Sequence, residues 1–242
     1  MKNLTISQAS SLLGISNDTL RRWDKNNILR PTRVDKETGY RYYNEESISN
    51  YLKNLDLFKL TSSWARAKRG KEPQKIFYCN NVNVLNYKLN KLENDLMTIS
   101  EFEETYSLLT SMVGEIGNNS FDHNIGNWAD IPGIFFGYNI KKKEIVLADR
   151  GQGIFATLSR VKKIKDHKEA LKVAFTEVIS GRAPEARGNG LKYVRKIITE
   201  NNNFKLKFQS GDAELSLKYK DENLDIKTKT QKVRGCLTLI NF

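Results

Sequence analysis

Three short constellations in the second half of the chain have residue types and spacings that could do chemistry. Glu115 and Asn119 stand four apart in Glu-Ile-Gly-Asn-Asn-Ser-Phe-Asp-His, residues 115–123, after a run carrying Leu108, Leu109 and Met112, with Ile116 continuing it. Residues four apart share one face of a helix. There the Asn119 amide oxygen can hold a magnesium ion while the Glu115 carboxylate orients or deprotonates a water. Magnesium needs few protein oxygens beside phosphate and water, so one Asn suffices. The second constellation is Leu147-Ala-Asp149-Arg-Gly151-Gln-Gly153-Ile154, after a hairpin expected over 134–140 and 144–148 and turned at Lys141–Lys143. An Asp at a strand end can accept a hydrogen bond from an adenine amino group, and the two glycines let the backbone pass close to base and ribose. The third is Arg187-Gly188-Asn189-Gly190-Leu191, just before an amphipathic helix expected over 192–200. Glycines entering a helix expose backbone N–H groups to phosphate, helped by the positive helix end.

Each pattern alone has a plain alternative: an exposed helix, a strand-ending turn, a loop entering a helix. In this order and spacing they resemble the GHKL nucleotide-binding domains of gyrase, MutL, the large heat-shock chaperone and the histidine kinases. The resemblance runs from about Leu108 to Phe242. It implies ATP and Mg2+ as cofactors, with Glu115 as general base and Asn119 on the metal. It implies nucleotide contacts from Asn119, Asp122, Asp149, Gly151, Gly153, Ile154, Gly188, Asn189, Gly190 and Leu191. It also implies a lid over 155–187, containing a helix with Leu171, Ala174, Phe175 and Val178. Strands are expected at 204–208, 213–219 and 235–240, with a polar loop over 220–232.

The N-terminal third has a different character. The chain carries a net charge of +12, and fifteen of its basic residues against eight acidic ones fall in residues 1–75. Such an excess favours polyanionic partners, nucleic acid first. Ser7 is a candidate N-cap for a short helix with Ala9, Leu12 and Leu13 on its apolar face, and Gly14 ends it. Ser16 or Asn17 caps a second helix whose Leu20 and Trp23 face a core. Two short helices joined by a glycine turn form a helix-turn-helix, whose second helix enters the major groove. Asp35–Gly39 reads as the turn of a hairpin flanked by Arg33 and Arg41, and a third helix starts near Asn44. Gly-Ile-Ser, Thr-Leu-Arg and Gly-Tyr-Arg-Tyr-Tyr in this order resemble the MerR family, with Arg22-Trp23-Asp24 departing from its commoner pattern. The resemblance implies a winged helix-turn-helix that contacts double-stranded DNA through Thr19, Arg21, Tyr40, Arg41 and Tyr43. Arg22 and Arg33 are nominated beside them.

The expected fold class is therefore α+β: a winged helix-turn-helix followed by an α/β sandwich of GHKL type, with an antiparallel-rich mixed sheet. The expected organisation is a DNA-binding domain over 1–60, a linker over 61–84, a connecting helix over 85–107 and a nucleotide-binding domain over 108–242. The polar, basic stretch 61–75, broken by Gly70 and Pro73, reads as an exposed linker or a flexible extension of the first domain. Leu85, Leu89, Leu92, Leu96 and Ile99 alternate at spacings of four and three. That seam fits either a dimer helix, making the protein a homodimer, or a helix packed on its own domain. Cys79 and Cys236 read as reduced, buried thiols, too few for a disulfide framework or a metal cluster. No signal peptide or span-length apolar run is found, so a soluble, cytoplasmic protein without membrane contact is expected.

Two histidines, His123 and His167, lie outside the heptad helix, which argues against self-phosphorylation on histidine. The expected function is a DNA-binding regulator controlled by ATP binding or slow hydrolysis, with room for an unidentified protein partner. The alternative is an ATPase or protein Ser/Thr kinase brought to DNA by its winged helix. A nucleotide-binding scaffold without turnover is a third.

Overall fold

The structure is a computed structural model, described over residues 3–178 and 189–242. The chain divides into two compact units: Met1–Asp56 with Glu72–Tyr78, and Leu57–Lys71 with Cys79–Phe242.

In the first unit, β1 (Asn3–Thr5) leads into α1 (Ile6–Leu13) and α2 (Asn17–Lys25), then β2 (Arg33–Val34), β3 (Arg41–Asn44) and α3 (Glu45–Asn54). The cap of α1 is Thr5 rather than Ser7. Its hydroxyl accepts the Gln8 N–H while the Gln8 side chain accepts the Thr5 N–H, which satisfies two otherwise orphaned donors. Gly14 closes α1 at φ 65°, where a Cβ would also stand 2.5 Å from Lys75 Cβ. Ser16 caps α2 and Asn44 caps α3. The antiparallel sheet has the order β1-β3-β2, with Leu4 opposite Tyr43 and Arg33 opposite Tyr42. Ala9, Leu13, Leu20, Tyr43 and Ile48 fill the core, whereas Leu12, expected there, is 51% exposed.

In the second unit, α4 (Leu57–Arg66) is followed by β4 (Tyr78–Cys79), α5 (Val82–Met97), a 3-10 turn at Ser100–Phe102 and α6 (Tyr106–Asn124). Next come β5 (Ile134–Asn139), β6 (Glu144–Asp149), α7 (Gly153–Leu158), α8 (His167–Thr176), α9 (Gly190–Glu200), β7 (Lys205–Leu217) and β8 (Asp225–Asn241). The sheet order is β4-β5-β6-β8-β7, and the β5–β6, β6–β8 and β7–β8 pairings are all antiparallel.

Three expectations change here. Residues 61–66 are helical rather than linker: Thr61 and Ser62 are buried in α4, their hydroxyls donating to the Leu57 and Lys59 carbonyls. That local satisfaction lets a polar sequence enter a core. Residues 72–78, inside the 61–84 stretch expected as linker, group with the first unit. Residues 225–232, expected as polar loop, extend β8, with Ser216 paired to Asp225.

The α5 seam is taken up within the chain. Leu85, Leu92 and Leu96 are fully buried in the core shared with α6, each contributing roughly 1.5–3 kcal/mol of burial. Gly117 permits this approach, since a Cβ there would lie 2.6 Å from Leu85 Cδ2. The seam is therefore not a free dimer surface. Two outward positions also differ from the expected apolar faces: Leu108 is 37% exposed and Val178 is 69% exposed.

Candidate functional site

The first unit presents a basic surface on α2 and on the β2–β3 wing. Arg21 and Arg22 project from α2 as exposed side chains. The Arg22 guanidinium donates to Thr19 Oγ1 (3.3 Å), and Arg21 pairs with Asp18 (2.7 Å) in full solvent. Such an exposed pair contributes little to stability and leaves the cation available to phosphate. The wing turns at Asp35, whose carboxylate accepts the Thr38 N–H and hydroxyl, and both bonds hold it below the usual carboxylate range. Gly39 takes φ 69°, which the turn requires. Arg33 lies over the Tyr42 ring at 4.7 Å, and Tyr40 is 63% exposed.

Two nominated residues have other surroundings. Arg41 donates through Nε to Asp24 Oδ2 at 2.9 Å, a half-buried tie between wing and α2. Tyr43 is fully buried in the core, with its hydroxyl making no hydrogen bond among the described residues. Its side chain is removed from any DNA-facing surface. Strand alternation explains the difference, because Tyr42 and Tyr43 point to opposite faces of β3.

In the second unit, one cavity is lined by Asn119, Asp149, Gly153, Ile154 and Leu191, with Ser120, Asn124 and Cys236 among their neighbours. Helix α6 supplies Asn119, the end of β6 supplies Asp149, and α7 and α9 supply the rest. Counted out to its open mouth, the cavity has about 380 Å³ of empty space. Asp149 is 1% exposed. Its Oδ1 accepts the Gly151 N–H at 2.9 Å, and its Oδ2 accepts the Ser120 hydroxyl at 3.0 Å. Burial nevertheless pushes the carboxyl up to about 6, with those two bonds pulling the other way.

Glu115 and Gly190 do not line this cavity, yet they adjoin Asn119. A Cβ at Gly190 would lie 2.5 Å from Glu115 Oε2 and 2.9 Å from Asn119 Nδ2, so only a glycine lets α9 begin there. Asp122 is half-buried on α6, and Asn189 is exposed just before α9; neither lines the cavity. Gly151 faces a separate cavity described below. Gly188 lies outside the described residues.

Sequence reasoning missed the residue that locks the turn. The Asn124 carboxamide donates to Ser120 O (2.8 Å) and to Asp149 Oδ1 (3.4 Å), while its oxygen accepts the Gln152 N–H (2.9 Å). Ile116, Ser120 and Asn124 recur every four residues with Asn119 beside them, a helical stripe that would have exposed the pattern. Cys236 was read as a plain buried thiol, but it is half-buried, lines the cavity, and is pushed up by burial and by Asp149. Cys79 is buried and raised to about 11, an inert thiol.

Arg150, the variable position between Asp149 and Gly151, turns away from the cavity. It is fully buried, donates to Asp130 through Nε (3.0 Å) and Nη2 (2.6 Å), and donates to the carbonyls of Ala67 and Trp64. The guanidinium holds the Asp130 carboxyl down at about 2. Two carbonyls at the C-terminal end of α4, Trp64 in its last turn and Ala67 just beyond it, thus receive a charged donor.

Among the described residues no helix is long and apolar enough to cross a membrane, and no group of three or more His, Cys, Asp or Glu is placed to hold a metal. The model of the MerR family regulatory protein matches residues 5–43. A 63-residue stretch is 38% identical to the type II methyltransferase M.Eco47II of Escherichia coli. That stretch is 26% of this chain and 14% of the methyltransferase, so the chain spans a small part of this relative's length. Helix-turn-helix, wing and family match coincide over the same residues, and residues 5–43 are a MerR-like DNA-binding regulator domain.

Proposed function

We propose that the chain is a DNA-binding regulator whose second unit binds ATP with Mg2+ in a GHKL-like pocket, and whose hold on DNA depends on that occupancy. One observation carries the proposal. Asn119, Asp149, Gly153, Ile154 and Leu191, drawn from three separate sequence patterns, line a single cavity with a buried carboxylate. Asp149 has no cationic partner among the described residues; a buried carboxylate of that kind is costly, and such groups cluster at functional sites.

The residues fit an adenine nucleotide. Asp149 would accept the adenine amino group, and the Gly190 end of α9 would face phosphate. Asn119 would hold the magnesium ion, which when bound neutralises phosphate charge. Glu115, next to it, is suited to orient a water. A homodimer is the expected assembly for a MerR-like regulator, formed through a surface other than the α5 seam.

The test is calorimetric titration of ADP and ATP with magnesium, followed by DNA affinity with and without nucleotide. Micromolar binding abolished by Asp149→Asn, together with a nucleotide-dependent shift in DNA affinity, is the expected result. Nucleotide binding that leaves DNA affinity untouched, with phosphate transfer to a protein, would replace the switch by the kinase alternative.

A further inference from the structure

A second cavity lies behind the glycine turn. It is lined by Gly153, His167, Ser210, Gly211, Lys232 and Arg234, among others. It shares Gly153 with the Asp149 cavity but includes none of Asn119, Asp149 or Leu191. With its open mouth it holds about 570 Å³.

An irregularity in β7 builds it. The register against β8 shifts on both sides of Gly211, which takes φ 59°. A Cβ at Gly211 would stand 2.5 Å from the His167 ring, so glycine admits the imidazole. Asp212, next along the bulge, accepts from His167 Nδ1 at 2.7 Å and from Lys232 Nζ at 3.1 Å. With Nδ1 on the carboxylate and the ring edge-on to Phe155 at 5.0 Å, the imidazole is held in one orientation.

The charge balance is uneven. No carboxylate lines the cavity among the described residues, while Lys232 and Arg234 do; Asp212 accepts from His167 and Lys232, and Asp149 accepts the Gly151 N–H behind the turn. Arg234 has no salt-bridge partner among the described residues. Lys232 also lines an adjoining trough with Arg66, whose Nε is buried without a hydrogen bond among the described residues. A recessed, glycine-lined hollow with more cations than anions suits a compact dianion, because several N–H donors can converge on its oxygens.

We propose that this cavity binds a phosphate-bearing small molecule, with Lys232 and Arg234 supplying the charge and the His167 ring, held by Asp212, forming one wall. The site stands without the nucleotide proposal. Only an effect on the first cavity, through the shared Gly153, would rest on it.

The test titrates inorganic pyrophosphate into the full chain by calorimetry, without magnesium or nucleotide, at two salt concentrations. Saturable binding is expected. Lys232→Ala with Arg234→Ala should weaken it at least about tenfold, as charge-assisted hydrogen bonds are lost. Lys232→Arg should bind nearly as the parent does, and Asn119→Ala should change affinity less than about twofold, within the few tenths of a kcal/mol expected between independent sites. Circular dichroism of each variant reports folding. Equal affinity in the double variant, loss in Asn119→Ala instead, or no saturable binding overturns the proposal. So does a double variant that loses duplex DNA binding while the parent takes up no pyrophosphate, since the surface would then be a DNA contact.

Discussion

The Asp149 carboxylate occupies the space a side chain at residue 235 would need: a Cβ on Gly235 would stand 2.2 Å from Asp149 Oδ1. Gly235 also takes φ 71°, a conformation that costs an L-residue roughly 1–2 kcal/mol. Overpacking adds roughly 1–3 kcal/mol. Gly235→Ala should therefore destabilise the second unit by about 2–5 kcal/mol in denaturant unfolding and displace Asp149. A variant as stable as the parent would mean that the turn is not closely packed.

Asp149 also predicts a pH dependence. Its carboxyl is raised to about 6 from 3.8, so the folded state binds the proton more tightly than the unfolded state. Stability from this group falls as pH rises from about 4 to about 6, by roughly 3 kcal/mol at most. Asp149→Asn should remove that dependence and make the protein more stable above pH 6 while abolishing nucleotide binding. Thermal unfolding at pH 5 and pH 8 reads both effects; an unchanged slope in the variant would place the titration elsewhere.

Asp130 shifts the opposite way, to about 2, held there chiefly by Arg150. Its contribution is present above about 3.8 and is lost as pH falls toward 2. Asp130→Ala leaves the fully buried Arg150 guanidinium without its carboxylate and should cost roughly 3–5 kcal/mol. Replacing both Arg150 and Asp130 by apolar residues should cost less than Asp130→Ala alone, which a double-mutant cycle measures.

In the first unit, Tyr43→Phe should leave DNA affinity unchanged and stabilise the fold by about 1 kcal/mol, because the buried hydroxyl has no hydrogen-bond partner among the described residues. Arg22→Ala should weaken DNA binding and reduce the slope of log K against log salt by about 0.9 if it removes one phosphate contact. Fluorescence anisotropy over a salt series distinguishes the two. Loss of DNA affinity in Tyr43→Phe at intact stability would return Tyr43 to the interface.

Glu115 and Asn119 separate binding from turnover. Glu115→Ala should retain ATP and lose turnover by about 10²–10⁴-fold, the usual contribution of a general base. Asn119→Ala should instead impair magnesium-dependent binding. Steady-state phosphate release and titration with and without magnesium give the two readouts; a Glu115→Ala variant with parental turnover removes the glutamate from the chemistry.

The sequence by itself determined what depends on neighbours along the chain. Gly14, Ser16 and Asn44 mark helix ends through local backbone needs, and the alternation in 134–149 specifies a hairpin ending on Asp149. The order of the chemical patterns was legible for the same reason. Only the tertiary structure decided what each side chain meets. Thr61 and Ser62 read as linker because polar residues are solvated unless their own helix satisfies them, as it does in α4. Tyr43 is a DNA contact only by the family resemblance, and the Tyr-Arg-Tyr-Tyr run does not itself say which face of β3 is the core. The leucine seam of α5 suited a partner helix or the chain's own domain equally well, and α6 took it because Gly117 leaves room for Leu85. Arg150 has no role in the sequence pattern, yet it anchors the end of α4, since its partners Asp130, Trp64 and Ala67 are distant in sequence and meet only in the folded unit.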